Sequence, residues 1–118
     1  MPDAVAPDGS EIYFRLIDAR HASVVEVVLG PGKTSRPVRH RTVEEVWYFL
    51  GGTGEVWVDP ATRAVAPGDI VVIPTGTAFQ FRANGDAPLR FLCYTSPPWP
   101  GDGEATPVEN GGLGEPSV

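Results

Sequence analysis

Residues 40–54 read HRTVEEVWYFLGGTG: a histidine, two adjacent glutamates, an apolar run and a glycine-rich turn within one short window. The run from Glu45 to Leu50 is apolar on both faces. It stops at Gly51-Gly52-Thr53-Gly54, where glycine supplies the positive φ that a hairpin turn requires. The same grammar of a short strand closed by a turn signal repeats on either side. Ile12 to Ile17 alternates loosely before Asp18, and the β-branched stretch Val24 to Leu29 stops at Gly30-Pro31-Gly32. Glu55 to Asp59 alternates and turns at Pro60-Ala61, and Ala66-Pro67-Gly68-Asp69 precedes Ile70 to Ile73, expected to be a buried run. Phe79 to Arg82, the turn Asn84-Gly85-Asp86 and Leu89 to Thr95 complete the series.

Short strands with a turn about every ten residues predict a sandwich or small barrel. Composition agrees: 14 glycines and 13 prolines in 118 residues favour short elements, so the fold class expected is all-β in a single domain. Three segments are expected: residues 1–11 as a flexible lead-in, 12–95 as the barrel, and 96–118 as an extended, proline-rich arm and tail. Trp99 within that arm is expected to pack on the barrel or on a partner subunit. The apolar runs are too short to cross a bilayer, and the amino terminus lacks the basic and apolar regions of a secretory signal. Cys93 is the only cysteine, which excludes an internal disulfide and a thiolate zinc cluster. A cytoplasmic protein with no membrane partner is the expectation.

The net charge of −6 sits at the ends of the chain. Between Arg15 and Arg90 nine basic residues face eight acidic ones, so the acidity says little about ligands. Lys33, Arg36, Arg39 and Arg41 cluster closely enough to draw an anionic ligand, but they also suit a solvated strand edge that charge protects from aggregation. No basic stripe or recognition motif supports nucleic-acid binding.

Two stretches in register resemble the cupin superfamily of small jelly-roll barrels. The first cupin motif, G-x5-H-x-H-x3–4-E-x6-G, is matched by Gly32, His40, Glu45 and Gly52, with Val38 in the first histidine position. The second, G-x5-P-x-G-x2-H-x3-N, is matched by Gly68, Pro74 and Gly76, with Phe79 and Ala83 in the histidine and asparagine positions. The resemblance covers residues 12 to 95 and implies a cupin jelly-roll β-barrel. A typical metal-binding cupin holds its ion with three histidines and one glutamate. Here only His40 and Glu45 remain of that set, and neither valine nor phenylalanine can donate a lone pair. No cofactor is therefore the first expectation. Manganese, iron, nickel or zinc on His40 and Glu45 is the alternative, with Gln80, Cys93 or Glu44 as a non-standard third ligand.

Strand alternation brings Arg36, Val38, Trp47, Phe49, Phe79 and Phe81 toward the interior in the same register. The expected result is an aromatic-lined cavity for a small molecule, with His40 and Glu45 as its acid–base pair. The opposite expectation is a filled core in which histidine and glutamate satisfy each other. Three functions remain open at this point. They are a metal-independent isomerase, cyclase or lyase on a small metabolite, a non-catalytic binding or sensor module, and a metal-dependent dioxygenase or lyase. So small a barrel leaves sheet edges in need of cover, which predicts a homodimer contacting through the Ile12 to Ile17 strand and the Trp99 arm.

Overall fold

Among the described residues eleven strands form because β-branched and aromatic residues alternate in runs too short for helices, most of them closed by glycine or proline. A computed structural model describes residues 1–101 and 103–118. The strands are β1 (Ala4–Val5), β2 (Glu11–Leu16), β3 (Ser23–Leu29), β4 (Val38–His40), β5 (Glu44–Gly51), β6 (Gly54–Val58), β7 (Ala61–Val65), β8 (Ile70–Ile73), β9 (Phe79–Ala83), β10 (Leu89–Ser96) and β11 (Ala105–Pro107). They make two antiparallel sheets, one of order β1-β2-β3-β10-β5-β8 and one of order β11-β4-β9-β6-β7. Among the described residues there is no helix. The all-β fold expected from the turn spacing is thus the one observed.

The turn after β5 shows why glycine stands there. Gly52 has a φ of 74°, and a Cβ on it would run into the carbonyl oxygen of Pro88. That close approach lets β6 return beside β9 while β5 stays paired with β10.

Three segments behave differently from the sequence expectation. Residues 1–11, expected as a flexible lead-in, carry β1 and bury Asp8 and Ser10. β7 lies where only a turn was expected, pairing Ala61–Val65 with β6. In the arm and tail, β11 pairs with β4, and the last residues lie across the second sheet. There Gln80, 0 % exposed, donates to Ser35 and Gly114 and accepts from Leu113 N–H at 2.8 Å. Gly112 sits against Trp57, where any side chain would collide with the indole. This strap of residues 111–118 is held by backbone groups, which a composition-based reading cannot see.

The tail covers the outside of the second sheet, but the outside of the first is open. Register aligns Val72, Val46, Tyr94, Val24 and Leu16 in one row across five strands, with Ile70, Tyr48 and Leu92 in the next. Tyr48, Ile70, Val72 and Tyr94 are all exposed, so the Ile70 to Ile73 run, expected to be buried, is buried only at Val71 and Ile73, the one face that meets the core. At the far side of this face Glu26 pairs with Arg15 and Arg90.

Between the sheets, five aromatic rings close-pack. Trp47 stacks on Phe91 with centroids 4.3 Å apart, Phe79 and Phe81 meet its edges at 5.4 and 5.2 Å, and Phe49 leans on Phe91 at 4.9 Å. Phe49, Phe79, Phe81 and Phe91 are each no more than 1 % exposed. Such rings bury about 150–250 Å² each, a large contribution to the core of a barrel this small.

Candidate functional site

β5 sets the site by its two-residue period: Glu45, Trp47 and Phe49 point inward, while Glu44 and Tyr48 point outward. β4 ends at His40, whose backbone pairs with Ala105 and whose ring stacks on Phe79 at 5.3 Å. The two elements bring His40 Nε2 to 3.2 Å from Glu45 Oε2, both side chains being buried. Glu45 is bonded further: Trp47 Nε1–H donates to Oε1 at 2.9 Å and the Thr95 hydroxyl donates to Oε2 at 3.2 Å.

Two more acids flank the pair, and both come from the ends of the chain. Asp8 is 8 % exposed, and its Oδ1 accepts from the backbone N–H and the hydroxyl of Ser10. Glu104 accepts from Thr42 N–H at 2.6 Å, Thr42 Oγ1 at 2.6 Å and Val43 N–H at 3.0 Å. Its Oε2 lies 3.8 Å from His40 Nδ1, too far for a hydrogen bond, and that buried nitrogen has no partner among the described residues.

These neighbours push the titrations apart. Burial disfavours a charged His40, but the hydrogen bond and charge of Glu45, helped by Glu104 and Asp8, raise its pKa above the ordinary 6.5. Burial alone would raise Glu45, yet bonding to His40 and Trp47 holds it below 4.5. Asp8 goes the other way: desolvation raises it above 3.8, against the Ser10 bonds, and the Glu45 charge adds to the rise. Burial and the Glu45 charge keep the Cys93 thiol well above 9.0, so it stays a neutral thiol. A low-pKa carboxylate, a high-pKa carboxyl and an imidazole in one cavity form an arrangement suited to moving a proton.

The cavity itself is small, about 40 Å³, room for about two or three water molecules. Its polar lining is Asp8, Ser10, His40, Glu45 and Thr95, and its aromatic walls are Trp47, Phe91 and Trp99. Of the residues expected to line it, His40, Glu45 and Trp47 do. Val38, Phe49, Phe79 and Phe81 do not: they are buried in the aromatic core, whose dense packing leaves no space beside them. Arg36 is also absent from the lining. Its side chain is exposed and its Nε donates to the Val118 carbonyl at 3.0 Å, because the C-terminal strap passes on the outside of that loop. Lys33, Arg39 and Arg41 are exposed as well, as a solvated edge requires. Sequence reasoning missed Asp8, Ser10, Thr95 and Glu104. The Asp8-Gly9-Ser10 turn was visible, but nothing local says that its aspartate is buried.

The donor set does not fit a transition metal. Val38 and Phe79 pair directly across β4 and β9 where two ligands would be needed, and Phe79 presents its ring to His40. Among the described residues no three His, Cys, Asp or Glu side chains have metal-holding geometry. Of the substitute ligands, Gln80 is spent on the strap and Glu44 is exposed on the outer face. Cys93 does line the cavity, with Sγ 3.5 Å from Thr95 Oγ1, as a protonated thiol.

Residues 25–95 match the family model described as a cupin domain. A 77-residue stretch is 32 % identical to an uncharacterised protein of Methanocaldococcus jannaschii, covering 65 % of this chain and 62 % of that protein. Another, of 68 residues, is 45 % identical to the 1-methylthio-D-xylulose 5-phosphate methylsulfurylase of Rhodospirillum rubrum, covering 58 % and 43 % of the two chains. The chain thus spans less than two thirds of the length of either relative. In structure it is similar to the polyketide cyclase RemF of Streptomyces resistomycificus, with a TM-score of 0.72 at 20 % identity over 93 % of this chain and 78 % of that one. At that identity the likeness is one of fold.

Proposed function

The chain belongs to the cupin family, and on that footing we propose that it is a metal-independent isomerase, cyclase or lyase acting on a small metabolite through proton transfer at His40 and Glu45. The observation that carries this reading is the buried pair itself. An imidazole held at 3.2 Å by a carboxylate lies in a cavity wall beside a second buried carboxyl group of opposite titration behaviour. His40, raised in pKa, donates or returns the proton, and Glu45 sets its tautomer and balances its charge. Cyclisation and isomerisation both need a proton moved in a water-poor site, which this buried pair can supply.

The Rhodospirillum rubrum relative acts, by its name, on a sugar phosphate. That substrate is not carried over, because no lysine or arginine lines this cavity among the described residues. A non-catalytic binding module is the second reading, favoured by one observation: every oxygen of Glu45 already receives a protein donor. The working unit we take to be a homodimer, closed through the open apolar face of the first sheet rather than through the Ile12 to Ile17 strand and the Trp99 arm expected from the sequence, because Tyr48, Ile70, Val72 and Tyr94 are exposed together there.

Solvent exchange separates the two readings. Candidate metabolites incubated in deuterated water with wild-type protein should gain deuterium, and His40→Gln or Glu45→Gln should abolish that gain. A metabolite that binds tightly without exchange or conversion would move the protein to the binding-module class.

A further inference from the structure

Beside the buried cavity lies a larger cleft of about 240 Å³, walled by Phe14, Ile17, Val25 and the Pro98–Gly101 arm. Val25 and Trp99 are walls of both spaces, so the cleft and the cavity adjoin at these two side chains. Trp99 is half-buried there, and its backbone N–H donates to Ser23 Oγ at 3.0 Å. The two spaces differ sharply in chemistry. The cavity gathers Asp8, His40 and Glu45, whereas the cleft offers Phe14 and Ile17, which are 38 % and 60 % exposed. Neither has a lysine or arginine in its lining among the described residues.

From this juxtaposition we infer that the ligand is amphipathic. Its head is small, donates hydrogen bonds and carries no negative charge, and it occupies the cavity. Its apolar tail lies in the cleft against Phe14, Ile17 and Trp99. The inference rests on the cavity being a small-molecule site and adds the ligand class to that reading. The head follows from the acceptors left over. Glu45 already takes bonds from His40, Trp47 and Thr95, and Asp8 takes both Ser10 bonds on Oδ1. Asp8 Oδ2 receives none among the described residues, so an incoming ammonium or hydroxyl finds a free acceptor there. A carboxylate or phosphate head would instead meet two carboxyl groups and an imidazole already engaged by one of them. The tail follows from adjacency: apolar walls beside a polar cavity, with Trp99 common to both, remove a chain from water as its head docks.

The test uses n-alkylamines from ethylamine to octylamine, with the matching n-alkanoates. Binding is followed by NMR of the His40 ring, readily separated from His21 because the chain has two histidines. Amine affinity should rise about two- to fourfold per methylene, and the alkanoates should leave the His40 signals unmoved. Ile17→Asn, and independently Phe14→Ser, should flatten the chain-length dependence and leave ethylamine binding unchanged. Unaltered melting temperatures would verify their folding. A flat series in which every amine still shifts His40 overturns the tail subsite and leaves the proposed function standing. A chain-length effect with no His40 response overturns the cavity reading beneath both. Alkanoates binding as well as amines, or no amine binding at all, overturns the proposal. So does a variant that dissociates a dimer while keeping the wild-type chain-length dependence, which would assign the cleft to a second copy.

Discussion

Glu104 offers the sharpest test of how the site is held, because its side chain ties the loop after His40 to the C-terminal segment. The perturbation is Glu104→Ala compared with Glu104→Gln. In the native chain the carboxylate accepts three hydrogen bonds, at 2.6, 2.6 and 3.0 Å, two of them from the backbone N–H groups of Thr42 and Val43. Glu104 is 4 % exposed and Val43 is 0 % exposed, so water cannot take the place of the lost acceptor without rearrangement. A hydrogen bond to a charged group contributes about 1.5–3 kcal/mol, and a buried donor left bare costs about 1–3 kcal/mol. The three bonds share one carboxylate and do not add in full, so alanine should cost about 3–5 kcal/mol. At about 2.1 cal/mol/K of unfolding entropy per residue, that lowers the melting temperature by roughly 12–20 °C. Glutamine keeps an oxygen for the two backbone donors while the Thr42 hydroxyl rotates to accept from its amide, so only the charge is lost. That variant should cost about 1–2 kcal/mol and lower the His40 pKa, because Glu104 is one of the charges that raise it. Urea denaturation measures the first quantity and an NMR titration of His40 the second. An alanine variant within about 1 kcal/mol of wild type, or glutamine as costly as alanine, would refute the reasoning.

Four further outcomes are expected. The His40–Glu45 pair makes stability depend on pH in a definite direction. Glu45, lowered below 4.5, stabilises above that pH and loses its contribution as pH falls through its folded value; His40, raised above 6.5, stabilises below that pH and loses its contribution as pH rises through its own. The pair therefore contributes most between 4.5 and 6.5, and Glu45→Gln should flatten that maximum in urea titrations across the range. Asp8 has the opposite sign: its raised pKa means that the folded state disfavours the carboxylate. Asp8→Asn, which keeps an oxygen for both Ser10 bonds, should thus raise the melting temperature at neutral pH and lose that advantage in acid. Restoring the missing ligands with Val38→His and Phe79→His should create a site whose added zinc or nickel raises the melting temperature, while chelator leaves the wild type unchanged. Light scattering should return about 25 kDa, twice the chain's 12.6 kDa, and Tyr48→Glu on the open sheet face should halve it.

Where in the chain the information lay follows from the range of the forces involved. Turn chemistry and two-residue alternation are local, so residues 40–54 alone disclose a buried strand, its hairpin turn and an inward-facing Glu45. Glycine and proline spacing extends that to the barrel, and Val38 and Phe79, which have no lone pair to donate, stand in the sequence itself at the two ligand positions. Packing against distant segments was not legible. That Phe49, Phe79 and Phe81 fill a core rather than line a cavity depends on five rings meeting from three strands, and no one strand encodes that volume. Arg36 shares the alternation of its neighbours, yet the C-terminal strap draws it outward to the Val118 carbonyl. Asp8 and Glu104 stand near opposite ends of the sequence, each in a stretch that reads as a solvated turn. Only tertiary folding decides that both flank His40, because it is the closure of β11 on β4 and the burial of the Asp8–Ser10 turn that bring charges distant in sequence into one poorly solvated space.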